Sequence, residues 1–259
     1  MSNTRRADRC VQIAAGLALG MAHLLCHAAT TNQDPSKPMT SVQPTTDTLS
    51  AKQQAIVPIA AFGAAGDIPR LGSALGLGLD AGLTVNDIKE VLVQLYAYAG
   101  FPRSLNALGE LMKTVEVRKQ RGIRDAEGAA PSRAVPTGDA LLAAGTANQT
   151  KLSGGPVTGP LFEFAPAIDQ YLKAHLFGDI FERDNLDWQS REIATISMLA
   201  ALQGVDSQLQ AHLRIGMNVG LTAVQLRQLT EVLASRVGPE AAGRTREALA
   251  RHLATAKPK

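Results

Sequence analysis

Apolar side chains recur at three- and four-residue intervals along much of this chain. One segment carries them at four positions: Ile88, Val91, Leu92 and Leu95. A later segment carries them at Leu221, Val224, Leu229 and Leu233. This is the period of an amphipathic helix, and no alternating pattern long enough for a strand accompanies it. The predicted fold class is all-α.

Three sequence pairs have the form of a capping box, which marks the first turn of a helix. They are Ser50 with Gln53, Thr84 with Asp87 and Thr222 with Gln225. Pro58 and Pro69 are expected to kink or to start helices, because proline cannot donate the backbone bond of a helix interior. Gly82 and Gly220, shortly before two of the caps, are expected to be left-handed helix ends.

The chain also repeats itself. Six residues recur with a displacement of 138 positions: Gly78, Gly82, Leu83, Thr84, Leu95 and Gly100 match Gly216, Gly220, Leu221, Thr222, Leu233 and Gly238. Leu49 and Leu186 begin the two copies, so residues 49–121 and 161–256 are predicted to be tandem helical repeats. Residues 122–160 are interpreted as a linker in which Asp139–Ala144 adds a helical turn or two.

The N-terminus has the three parts of a secretory signal peptide. Arg5, Arg6 and Arg9 precede an apolar run from Val11 to Leu25, and small residues follow at Ala28. We therefore expect residues 1–28 to be removed and the protein to be periplasmic or secreted, with no stable membrane anchor. Residues 29–48, rich in Thr, Pro, Gln and Ser, are predicted to form a flexible spacer.

Export changes the chemistry available to the mature chain. The two cysteines, Cys10 and Cys26, lie in the predicted signal peptide, so the mature chain has no thiol for redox chemistry. The formal charge of +3 falls to about +1, because three Arg and one Asp are removed with residues 1–28. A charge this small is not that of a nucleic-acid-binding protein.

Among the remaining histidines, His212 is the main candidate for chemistry. Gln208 lies one turn before it and Gly216 one turn after it, so we expect open space beside the imidazole. Such a ring is suited to general acid or base catalysis, although a core histidine donating to a carbonyl remains the alternative. The first repeat has Ala74 at this position, and Gln54-Ala55 where the second has Arg191-Glu192. Only the second repeat thus keeps ionisable groups there.

The other two histidines are weaker candidates. His175 and Asp179 share a helical face, which is compatible with a metal pair, but no third ligand is predicted and no metal site is assigned. His252 lies in a basic C-terminal helix and is interpreted as part of a solvated face.

Several motifs, in order, resemble the carboxymuconolactone decarboxylase family, which belongs to an alkylhydroperoxidase D-like superfamily. The first half of the pattern is Gly82-Leu83-Thr84 followed by residues 90–102, EVLVQLYAYAGFP. The second half is Phe177-Gly178-Asp179-Ile180, Leu186-Asp187, Arg191-Glu192 and Leu209-Gln210-Ala211-His212-Leu213. Together these motifs extend over nearly the whole predicted mature chain.

The resemblance implies helical repeats that assemble into trimers or hexamers, and a tandem chain would then form a homotrimer. It also implies one of two activities: cofactor-free decarboxylation of a lactone from aromatic degradation, or peroxidase chemistry by a Cys-x-x-Cys motif. Val205 and Gln208 occupy the positions of those cysteines, which argues against the peroxidase. We therefore expect a cofactor-free enzyme acting on a small carboxylated substrate. The alternative is a non-catalytic periplasmic oligomer that binds a ligand.

Within the enzyme hypothesis, the residues take separate roles. Arg191 would hold the substrate carboxylate, His212 would protonate the carbon that carbon dioxide leaves, and Glu192 completes the catalytic set. Tyr96, Tyr98 and Gln208 are predicted to bind substrate. Glycines at Gly72, Gly76 and Gly78, and at Gly216 and Gly220, suggest close helix packing, either between subunits or within one chain.

Overall fold

The computed structural model describes residues 47–255, so the predicted signal peptide and nearly all of the predicted spacer lie outside the described residues. Within that range the structure consists of helices, turns and loops without a strand, which confirms the all-α prediction. The first repeat contains four helices: α1 (Ala51–Ala65), α2 (Ile68–Asp80), α3 (Val85–Ala99) and α4 (Phe101–Gln120). The second contains α8 (Trp188–Ala201), α9 (Asp206–Asn218), α10 (Ala223–Arg236) and α11 (Pro239–Thr255).

The capping boxes begin the helices as predicted. Ser50, Thr84 and Thr222 each accept a hydrogen bond from the backbone N–H of the third helical residue, whose side chain in turn accepts one from the backbone N–H of the cap residue. Gly82 and Gly220 have φ angles of 91° and 102°, the left-handed conformation expected there. Pro69 lies in the first turn of α2, whereas Pro58 lies inside α1 and is buried.

The two repeats share one core. Helix α1 packs most extensively against α8, its counterpart in the second repeat, while α3 contacts α8 and α10 contacts α1. These reciprocal contacts have the pattern of an approximate two-fold relation. Leu71, Leu75, Ile88 and Leu92 from one repeat, with Ile193, Ile196, Leu213 and Leu229 from the other, are fully buried in a single apolar cluster. Each repeat therefore packs its third helix, α3 or α10, against the first helix of the other repeat, α8 or α1.

The connection between the repeats is more ordered than the sequence indicated. It contains α5 (Asp139–Ser153), a much longer helix than the turn or two expected at Asp139–Ala144. Three short elements follow before α8: α6 (Pro160–Phe164), α7 (Pro166–Tyr171) and a π-helix (Leu172–Ile180), which fall almost entirely in the predicted second repeat. Helix α5 crosses the π-helix closely at two glycines. A Cβ on Gly145 would lie 1.8 Å from the Lys173 carbonyl oxygen, and one on Gly178 would lie 2.7 Å from Leu141.

None of the helices in residues 47–255 combines the length and the apolar character that a membrane span requires.

Candidate functional site

The structure brings His212 and Glu192 together. Asp187 caps α8 by accepting a bond from the Ser190 backbone at 2.8 Å, and this start places Glu192 on the face that meets α9. Nδ1 of His212 lies 2.8 Å from Oε2 of Glu192. The Glu192 side chain is fully buried and that of His212 is 10% exposed. The carboxylate therefore orients the imidazole and leaves Nε2 as the ring nitrogen available for proton exchange.

Gly216 has a different role from the one expected of it. A Cβ at this position would lie 3.1 Å from Cδ1 of Leu221 and 3.4 Å from Cδ1 of Ile196, so no open space lies there. The expectation of a gap beside the imidazole is thus wrong. Instead, the missing side chain lets α9 approach α8 closely within one chain, and Gly78 does the same against Ile59 in the first repeat.

Tyr98 reaches the His–Glu pair from the first repeat. Its ring meets the His212 ring edge-on, with 5.6 Å between centroids and 80° between planes. Burial raises the pKa of the Tyr98 hydroxyl, and the charge of Glu192 raises it further. The phenol is therefore neutral and able to donate a hydrogen bond. Oε1 of Glu192 is also buried, and within residues 47–255 it has no hydrogen-bond partner.

Arg191, the neighbour of Glu192, belongs to a second buried cluster. Its Nη2 donates to Oε2 of Glu90 at 2.9 Å, and Nη1 donates to Oε1 of Gln94 at 3.2 Å. Arg183 binds the same Glu90 carboxylate through Nε and Nη2, at distances from 2.7 to 3.1 Å. Gln94 completes the cluster by donating to Thr195 Oγ1 at 2.7 Å.

The charges of this cluster compensate one another. Burial alone would raise the pKa of Glu90, but hydrogen bonds from Arg183 and Arg191 outweigh burial and hold the pKa below its ordinary value. Burial lowers the pKa of Arg191, and Glu90 opposes that effect. The bonds to Glu90 raise the pKa of Arg183. Glu90 is consequently an anion shared by two arginines, one of them fully buried.

The predicted site residues thus separate into groups. His212, Glu192 and Tyr98 meet. The guanidinium of Arg191 instead binds Glu90 and Gln94. Tyr96 stacks on Phe101, with 4.4 Å between ring centroids, and meets His175 edge-on. Gln208 is exposed and accepts a bond from Ser207.

Sequence reasoning missed Glu90, Gln94 and Arg183. The signal for the first two was present, because Glu90, Gln94 and Tyr98 are spaced four residues apart and lie on one face of α3. Glu90 and Arg183 also line a cavity of about 940 Å³ whose walls include Val93, Leu108 and Met112. A cavity of this size is sufficient for a small-molecule ligand.

A metal ion in a protein site needs several close ligands. No group of three His, Cys, Asp or Glu side chains in residues 47–255 is placed to hold a metal ion. His175 and Asp179 do contact each other through Nδ1 and Oδ2, but they are partly exposed and stand as a pair.

Two helical repeats pack around one core, and the second repeat contains a buried His–Glu pair. The model of the carboxymuconolactone decarboxylase family matches residues 40–112 and 166–251, which together are more than half of the chain. The chain belongs to the carboxymuconolactone decarboxylase family, in a tandem-repeat form. No curated protein gives a significant sequence match.

Proposed function

We propose that this protein is a cofactor-free decarboxylase or lactone-processing enzyme that acts on a small carboxylated substrate outside the cytoplasm. The contact of 2.8 Å between His212 Nδ1 and Glu192 Oε2 carries the proposal, because it creates an oriented acid–base pair. Membership of the decarboxylase family agrees with it. The signal-peptide pattern of residues 1–28 supports the location.

The proposed reaction needs only groups of the protein and one proton. The bond between the substrate carbon and its carboxylate breaks, carbon dioxide leaves, and the electron pair stays on the carbon. His212 delivers a proton from Nε2 to that carbon, and Glu192 stabilises the positively charged ring before the transfer. Tyr98, as a neutral buried phenol, donates a hydrogen bond to a carbonyl oxygen of the substrate. Solvent then returns the proton to His212.

Arg191 has a supporting role in this proposal. Recruiting its guanidinium to a substrate carboxylate would leave Glu90 with one cation fewer in a buried environment, at a considerable free-energy cost. We therefore assign Arg191 to holding α8 against α3, which fixes the position of the adjacent Glu192.

The test is turnover of 4-carboxymuconolactone and related lactones, followed as carbon dioxide release by the purified protein. We expect His212→Ala to abolish release while the protein stays folded. His252→Ala, which changes a histidine on α11 that is not part of the pair, should retain it. The proposal is wrong if the wild-type protein turns over none of these compounds and His212→Ala changes stability alone.

A non-catalytic binding protein is the second candidate. The observation in its favour is the burial of His212, whose side chain is only 10% exposed. This candidate predicts lactone binding with no carbon dioxide release. A thiol peroxidase is disfavoured, because Val205 and Gln208 stand where that chemistry needs cysteines and the two cysteines of the chain are Cys10 and Cys26.

A further inference from the structure

The first repeat has a cavity at the position that corresponds to the His–Glu pair of the second. It has a volume of about 640 Å³. Its lining residues come mainly from α1, α2 and the end of α10: Ala55, Pro58, Phe62, Arg70, Ser73, Ala74, Leu77, Gly78, Ala81 and Arg236.

Repeat equivalence explains why this cavity exists. Ala55 and Ala74 occupy the positions of Glu192 and His212, so two large polar side chains are replaced by methyl groups. The space that those side chains fill in the second repeat is therefore open in the first. Arg236 occupies the position of Tyr98 and likewise reaches the region from the opposite repeat. The first repeat thus replaces the acid–base residues with an apolar floor and places a cation above it.

The charges at the cavity do not cancel. Arg70 is neutralised by Asp67, with its Nε 2.6 Å from Oδ2, and its guanidinium lies over the Phe62 ring at 4.7 Å from the centroid. Arg236 is exposed and, within residues 47–255, makes no ion pair or side-chain hydrogen bond. No acidic residue lines the cavity. One positive charge is therefore left over beside an apolar floor formed by Pro58, Phe62 and Ala74.

We propose that this cavity is a second, non-catalytic binding site for a small amphipathic monoanion, namely an aromatic or branched aliphatic carboxylate whose carboxylate pairs with Arg236. The apolar body of the ligand would cover Phe62 and Ala74, and burial of that surface supplies most of the binding free energy. Arg236 supplies a charge-assisted hydrogen bond and the preference for an anion. The absence of His and Glu side chains at the floor makes the site one of binding rather than proton transfer.

The experiment is calorimetric titration of the purified full chain with benzoate, using benzyl alcohol as the uncharged comparison. We expect benzoate to bind more tightly than benzyl alcohol. Arg236→Gln should weaken benzoate binding about tenfold, the loss of one charge-assisted bond, and leave benzyl alcohol unchanged. Arg227→Gln is the matched control, because Arg227 is an exposed arginine on the same helix and outside the cavity.

Two variants test the place of binding. Ala74→Phe fills the floor, and Ser73→Trp covers the mouth from a solvent-exposed position on α2, so both should abolish benzoate binding. His212→Ala should leave it unchanged. The proposal is overturned if Arg236→Gln and Ser73→Trp have no effect, or if His212→Ala removes binding. It is equally overturned if benzoate does not bind. Dissociation of an oligomer by Ser73→Trp would then show that a second copy of the chain occupies the cavity.

Discussion

Arg191 and Glu192 are neighbours in sequence, yet they belong to different networks: Arg191 binds Glu90 at 2.9 Å and Glu192 binds His212 at 2.8 Å. About 100° of helical rotation separates adjacent side chains, so one turn of α8 serves both. The ion-pair cluster fixes α8 against α3 of the other repeat, and the His–Glu pair connects α8 to α9. Disturbing the first network should therefore affect stability, and disturbing the second should affect chemistry.

The first prediction concerns Glu192. Glu192→Gln keeps an acceptor for the His212 ring but removes the charge that stabilises a protonated imidazole in the transition state. We expect kcat for the proposed lactone reaction to fall roughly a hundredfold with a small change in KM. Steady-state kinetics with the folded variant checks this. Glu163→Gln is the control, because it makes the same change at an exposed carboxylate on α6. An unchanged kcat would remove Glu192 from the mechanism.

The second prediction concerns Glu90. Glu90→Gln leaves the fully buried Arg191 without its counter-ion, and removing one partner of a buried pair costs about 3–5 kcal/mol. Urea denaturation should show this loss. Glu247→Gln is the control, because Glu247 pairs with Arg251 on an exposed surface, where such pairs contribute about 1 kcal/mol or less. Similar losses for the two variants would contradict the assignment.

The pKa of Glu90 gives a third prediction, which concerns pH. Its pKa in the folded protein lies below the ordinary value of 4.5, so its contribution is complete above pH 4.5 and is lost as the pH falls through the folded-state value. The stability difference between the wild-type protein and Glu90→Gln should thus be constant near neutral pH and shrink below pH 4.5. Denaturation at a series of pH values measures it. A difference that stays constant into strong acid would exclude this linkage.

Glycines provide the fourth prediction. Gly145→Ala places a methyl group 1.8 Å from the Lys173 backbone oxygen, where neither helix can yield cheaply, so we expect a loss of about 3 kcal/mol or more. Gly76→Ala in α2 is the matched control, since nothing lies within 4 Å of its added Cβ. That variant should gain about 0.5–1 kcal/mol, because alanine is the better helix former. Thermal unfolding of both variants gives the comparison, and equal shifts would contradict the close crossing.

The sequence was most informative where the structure is local. The capping boxes at Ser50, Thr84 and Thr222 and the left-handed glycines depend on a few consecutive residues, and their predictions are confirmed. Helix α5 was underestimated because Gly145, Thr146 and Asn148 are poor helix formers. Contacts with distant parts of the chain stabilise it, including bonds from Asn148 to the Phe177 carbonyl oxygen and from Asn218 to that of Leu152.

The candidate site shows the same division. His212 and Glu192 could be proposed from the comparison of the two repeats, because the first repeat has alanine at both positions. The binding partner of Arg191 could not, since Glu90 lies 101 residues away and the pair forms only when the two repeats pack together. The role of Gly216 depended on packing within the second repeat, because Leu221 and Ile196 close the space that was predicted to be open.

The last prediction concerns assembly. Helices α6 and α7 present four large apolar side chains to solvent, Leu161, Phe164, Ile168 and Tyr171, and Phe164 is 89% exposed. Helix α4 adds Phe101, Leu105 and Met112. Exposed apolar surface of this extent is typical of a protein–protein interface. The family resemblance implies that the interface joins three copies of the chain. We therefore expect a homotrimer, with a mass by light scattering near three times that of one chain.

Phe164→Ser should shift the population toward monomer, whereas Glu163→Ser at the adjacent exposed position should not, because it removes no apolar surface. A stable monomer of the unaltered protein at micromolar concentration would contradict the prediction, and these side chains would then not form an interface between copies of the chain.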